Sequence, residues 1–184
     1  MGKIKLKEKI KHVKNELHEL AGLLESELKE FDNIMEENME NGYPEKDSRD
    51  PAYLTPWMQE KVKQMIERYN LENSPKKAII TCTFRNPEYQ KKLYRKGRLG
   101  DKIIFPRMVV TGCDGYKKVS NHNVIPAQAV DTAIILNGKC LWDLEYFLSL
   151  GEIGERLGLV WGHRFKVSNN KTDYPHFEQP KGVV

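Results

Sequence analysis

Apolar residues return at Ile10, Val13, Leu17, Leu20, Leu24, Phe31 and Ile34 in alternating steps of three and four, with Glu27 the one break in the register. That repeat lays a narrow apolar seam along a long helix, the pattern of a coiled coil. It constrains the start of the chain strongly, because such a helix must cover its seam with something. The spacing fits a helix folded back on its own domain. It fits equally a helix paired through residues 10–34 with a second chain or a helical partner, and both readings stay open. Charge divides along the same segment: six lysines fall in the first fourteen residues, and acids dominate from Glu16 to Glu40.

The repeat stops at NGYPEKDSRDPAYLTP, residues 41–56, where three prolines and no period mark a linker or extended arm. We therefore divide the chain into a heptad helix with its linker, residues 1–45, and a compact domain, residues 46–184. The second part mixes helix and strand signals and predicts an α+β domain. Pro56 opens a helix to about Tyr69 with Trp57, Val62, Met65, Ile66 and Tyr69 as its inner face. KKAIITCTF is a strand of β-branched residues, Pro87 begins a helix to about Lys96, and Ile103 to Val110 reads as extended around Pro106. AVDTAIIL is a buried strand, and Leu141 to Leu157 is an amphipathic helix closed by Gly158.

Composition removes several function classes. A net charge of +4 is small against 56 charged residues, which argues against a nucleic-acid surface. The lysines from Lys3 to Lys14 alone keep open a basic arm for nucleic acid or another anionic surface. Three cysteines, Cys82, Cys113 and Cys140, form neither an even disulfide set nor a CxxC metal pair. No apolar run reaches the roughly 18 residues of a membrane span, and the lysine-rich start lacks the apolar core of a signal peptide. The expectation is synthesis in a cytoplasm.

Five histidines occur. His12 and His18 fall on the charged helix and read as solvated. His122, His163 and His176 fall in loops or at strand ends, where a lone histidine is ordinarily a polar surface residue. In TDYPHFE, Asp173 precedes His176 by three residues with Pro175 restricting the backbone between them. That spacing suits a carboxylate standing over a metal held by His176, and suits a turn-forming aspartate as well. NHN at residues 121–123 imitates a His-Asn-His nuclease signature, but it holds one histidine, and the next is His163.

Taken in order, CTFRNPEYQKKLYRKGR, VVTGCDGYKKVSNHN, AVD, LGLVWG and DYPHFE resemble the zinc peptidases that act on bacterial peptidoglycan stem peptides. These are the D-alanyl-D-alanine carboxypeptidases, D,D-dipeptidases and L-alanyl-D-glutamate endopeptidases of phage endolysin type. The resemblance spans about residues 50–179 and rests most specifically on the ordered S-x-H, A-x-D and D-x-P-H-F-E set. It implies a Hedgehog-type α+β fold in which a small antiparallel sheet carries a zinc site and helices pack on the other face. It implies Zn2+ held by His122, Asp131 and His176, with Asp173 as the general base. Arg85 matches the family arginine that stabilises an oxyanion or holds a substrate carboxylate. Gln90 matches a packing glutamine. Ser120 matches the serine of S-x-H, placed to orient His122 or touch substrate.

Two departures accompany the resemblance. His122 and Asp131 stand nine apart, where the family commonly has seven with an intervening glycine. The HN-x-x-P-x-x-AVD arrangement is similar to that of phage members. WGHRF replaces the usual WGGDW, which puts His163 at the rim as a substrate contact beside Arg164. The resemblance implies a phage or prophage lysin that reaches the cell wall from the cytoplasm through a holin. The alternative is a non-catalytic phage-particle or wall-binding protein with a structural zinc; Asp173 and Arg85 speak against it, since structural zinc requires neither.

Overall fold

The computed structural model describes residues 2–40, 47–165 and 172–183; the side chains of residues 2–7, 27, 28 and 30–40 lie outside that description, and with them Phe31 and Ile34 of the seam. The chain falls into two compact units, Met1–Tyr43 with Arg95–Val110, and Pro44–Tyr94 with Thr111–Val184. The architecture is α+β: long N-terminal helix, small antiparallel sheet and helices laid on the sheet.

In the first unit, α1 spans Gly2–Glu40. Two short strands, β2 (Arg98–Leu99) and β3 (Lys102–Ile103), form a hairpin whose turn uses Gly100 at φ +57°. The stretch expected to be extended around Pro106 instead makes a tight helical turn over Pro106–Met108. Proline's fixed φ suits the first position of such a turn, and Val109 N–H bonds back to Pro106 O.

The second unit holds the core. Thr55 caps α2 (Pro56–Glu72) by accepting Met58 N–H at 3.2 Å, and Pro56 fills the first helical position, where its missing N–H costs nothing. Met58, Val62, Met65 and Tyr69 form its fully buried stripe; Trp57, expected on that face, packs at the core's edge. Strand β1 (Lys77–Cys82) pairs antiparallel with β4 (Ala129–Leu136), which also pairs with β5 (Lys139–Leu141) and β7 (His176–Glu178); β6 (Val160–Trp161) closes the order β1-β4-β7-β6. Helices α2 and α4 (Leu144–Arg156) cover one face. Leu157 and Gly158 then close α4, with Gly158 at φ +93°. A short helix, α3 (Pro87–Arg95), follows β1.

Strand alternation separates the core from what lies behind it. Val130 and Ile134 of β4 and Phe177 of β7 point into the helix-covered core with Phe147, Leu150, Ile153 and Trp161. Asp131, His176 and Glu178 occupy the intervening positions and therefore the opposite face. Ala78 and Ile80 of β1 lie on the core side, so strict alternation would send Cys82 there too. A bulge between Ile80 and Cys82 prevents this by setting Cys82 opposite Asp131, and Asp131 in turn lies opposite His176. One extra residue thus turns the end of β1 to the polar face.

Candidate metal centre

His122 Nε2, Asp131 Oδ1 and His176 Nδ1 converge: His122 to Asp131 is 3.1 Å, His122 to His176 is 3.2 Å, and His176 to Asp131 is 2.8 Å. Each imidazole is held by its other nitrogen. His122 Nδ1 lies 2.8 Å from Thr83 O, which can only accept, so Nδ1 carries the hydrogen and Nε2 turns a lone pair inward. His176 Nε2 lies 2.9 Å from Glu178 Oε1, which fixes the opposite tautomer and leaves Nδ1 facing the same point. Two lone pairs and a carboxylate oxygen at these distances repel unless a cation stands among them.

Two cations suit such a point. One is a proton: burial opposes a charged ring, yet the hydrogen bonds to Asp131 and Glu178 push His176 up to about 10. The other is a metal. Zinc bound tetrahedrally at about 2.0–2.1 Å separates its donors by about 3.3 Å, close to the spacing found here. Outward nitrogens bonded to a carbonyl and a carboxylate are the arrangement that orients metal-binding histidines. The residues present fit a zinc ion with two imidazoles and one carboxylate.

Cys82, His122 and Asp131 also form a metal-competent group, with donor atoms within 4.8 Å of one another. Cys82 Sγ, however, lies 3.8 Å from His122 Nδ1, the nitrogen already engaged with Thr83 O. Burial pushes its thiol up to about 12 against the pull of Arg85. The tighter set is the one that includes His176.

The carboxylates divide between roles. Burial pushes Asp131 up, but His122 and His176 overcome this and hold it well below the ordinary carboxylate range. Its second oxygen, Oδ2, accepts from Arg85 Nη2 at 2.6 Å, which frees Oδ1 for the convergence point. Arg85 Nη1 donates to Gln90 Oε1 at 3.1 Å. Asp173 lies close enough to feel the charges of His176, Asp131, His122 and Arg85. Crowding by surrounding protein raises its carboxyl above the ordinary value against the pull of His176, so it holds a proton more readily than a surface aspartate. Glu178 is lowered: its burial raises it, and the bond to His176 more than offsets that.

The nine-residue interval between His122 and Asp131 is taken up by a pinned loop. Ala127 pairs with Leu54 of the arm, through Thr55 N–H to Ala127 O at 3.0 Å and Ala127 N–H to Tyr53 O at 2.7 Å. Upstream, Arg85 N–H bonds His122 O at 2.9 Å, and Asn123 Nδ2 donates to Arg85 O at 2.8 Å. Ser120 Oγ accepts the His122 N–H at 3.3 Å and so shapes this loop. The segment before His176 is held as firmly. Thr132 N–H and Oγ1–H both donate to Pro175 O at 3.0 Å, and Trp161 Nε1 donates to Tyr174 O at 2.8 Å. The ring of His163 lies tilted between Trp161 and Tyr174, with centroids at 4.6 and 5.5 Å.

Several residues with work to do escaped the sequence reading. Thr83 acts through its carbonyl, which no side-chain pattern reveals. Gly162 matters because a Cβ there would stand 2.5 Å from Asp173 O and 3.0 Å from His176 Cβ. Glu178 did leave a signal, since two residues after His176 on a strand is the same face.

No protein-family model matches the chain, and no curated protein matches it. Among solved structures, the crystal structure of the Serratia marcescens L-Ala D-Glu endopeptidase ChiX is similar at a TM-score of 0.48 and 17% identity, over 75% of this chain and 89% of that one. Similarity of that degree speaks neither to activity nor to substrate.

Proposed function

We propose that the chain is a zinc-dependent peptidase that hydrolyses an amide bond in the peptidoglycan stem peptide. The observation that carries this is the convergence of His122 Nε2, Asp131 Oδ1 and His176 Nδ1 on one point with both outward ring nitrogens tied down. The ordered S-x-H, A-x-D and D-x-P-H-F-E set supplies the substrate class. His122, Asp131 and His176 would hold the ion. Zinc bound there supplies a Lewis acid that acidifies water and polarises the amide carbonyl.

The protein's own groups do the rest. Asp173 accepts a proton from the attacking water and returns it to the departing amine, a task suited to a carboxyl whose proton affinity is raised. Arg85 holds Asp131 through Oδ2, and its remaining N–H groups serve the developing oxyanion or a substrate carboxylate. Ser120 sets the backbone at His122, and His163 is the proposed substrate contact. A phage or prophage lysin acting at the bacterial cell wall is the setting that fits this chemistry.

Digestion of purified peptidoglycan followed by mass spectrometry of the products identifies the bond. New glutamate N-termini mark an L-alanyl-D-glutamate endopeptidase, and released D-alanine marks a carboxypeptidase. Products confined to glycan cleavage would refute a peptidase.

A further inference from the structure

Five residues of the α1 seam stand open in the chain: Ile10 at 49%, Val13 at 51%, Leu17 at 60%, Leu20 at 38% and Leu24 at 59% exposure. The domain's buried core, in contrast, is complete without them, drawn entirely from residues 54–177. A long helix with an uncovered heptad seam is marginal alone in water and is stabilised by a partner that covers it.

The charge of α1 says which partner. Residues 3–14 hold six lysines and one glutamate, a net +5, while residues 16–40 hold nine acids and one lysine, a net −8. This opposes the helix's own dipole, whose positive end is the N-terminus, and neither terminal turn carries a compensating charge. A parallel partner of the same sequence would add to the conflict, setting basic end on basic end. An antiparallel partner removes it: each basic stretch lies along the other chain's acidic stretch, and the two dipoles oppose. The seam permits this register, because a and d positions face one another when Val13 meets Leu24 and Leu17 meets Leu20 of the opposite strand.

We propose that α1 pairs with α1 of a second copy of this chain as an antiparallel two-stranded coiled coil, making the protein a dimer. Light scattering of the full chain at low salt should give twice the 21.4 kDa chain mass. Leu17→Lys with Leu20→Lys, both at open positions, should return it to one chain mass while circular dichroism keeps the domain's signal. Val13→Cys with Leu24→Cys reports direction. These positions lie about 16 Å apart along one helix, too far for a bond within the chain. Oxidation should therefore link position 13 of one copy to position 24 of the other, as peptide mapping reads. A single-chain mass at every concentration, or links joining 13 to 13 and 24 to 24, would overturn the proposal.

Discussion

The donor set is decided by which atoms of which residues face inward. Of the two candidate third ligands, His176 offers Nδ1 at 2.8 Å from Asp131 Oδ1, whereas Cys82 sits beside the wrong nitrogen of His122. His122→Ala and His176→Ala are each expected to lose the zinc, while Cys82→Ser retains it; metal content after gel filtration checks this. Retention in His176→Ala with loss in Cys82→Ser would exchange the two ligands. Beside the site, Gly162 has no room for a side chain. A methyl group at Gly162 must displace Asp173 O and presses on His176 Cβ. Gly162→Ala should cost about 1–3 kcal/mol in urea unfolding and weaken zinc in a chelator competition. The convergence of His122, Asp131 and His176 could be anticipated from the ordered motif. The parts played by Thr83 and Gly162 could not, because a carbonyl and a missing Cβ act through shape that no residue type announces.

At the scale of elements, a bulge and two pinned loops build the site. AVDTAIIL was legible as a strand over Ala129–Leu136 because four of its eight residues, Val130, Thr132, Ile134 and Ile135, are β-branched. The bulge in β1 was not, since nothing in KKAIITCTF distinguishes a six-residue strand that slips its register from one that does not. The nine-residue interval raised a question that only the arm answers: Tyr53–Thr55 grips Ala127 and takes up the extra length. A third loop, residues 111–118, is tied to α3 by Gln90 Nε2, which donates to Cys113 O at 2.9 Å. Its own turn depends on Asp114, whose Oδ1 accepts from Tyr116 N–H at 3.1 Å and Lys118 N–H at 2.8 Å. Burial pushes Asp114 up, and those bonds bring it below its ordinary value. A lowered carboxyl contributes stability above the unfolded pKa and loses it as pH falls through the folded one. Asp114→Ala should therefore cost about 1 kcal/mol near neutral pH, with the gap to the parent closing below about pH 4. Urea melts across that range read it, and a gap independent of pH would remove the charge from the account.

For the whole molecule, the α+β class and the long helix could be read from periodicity, although the helix's periodic seam at Ile10, Val13, Leu17, Leu20 and Leu24 is exposed. The grouping of Arg95–Val110 with the first unit could not, since contact between distant segments leaves no local pattern. On the proposed function, the polar face of the sheet would hold a zinc ion for hydrolysis of the stem peptide. The direct test is digestion of purified peptidoglycan by the full chain, by the chelated protein, by the chelated protein after zinc is restored, and by Asp173→Ala loaded with zinc. New peptide termini are expected from the first and third alone. Undigested stem peptides in the presence of folded, zinc-loaded protein, or equal digestion by Asp173→Ala, would contradict the claim.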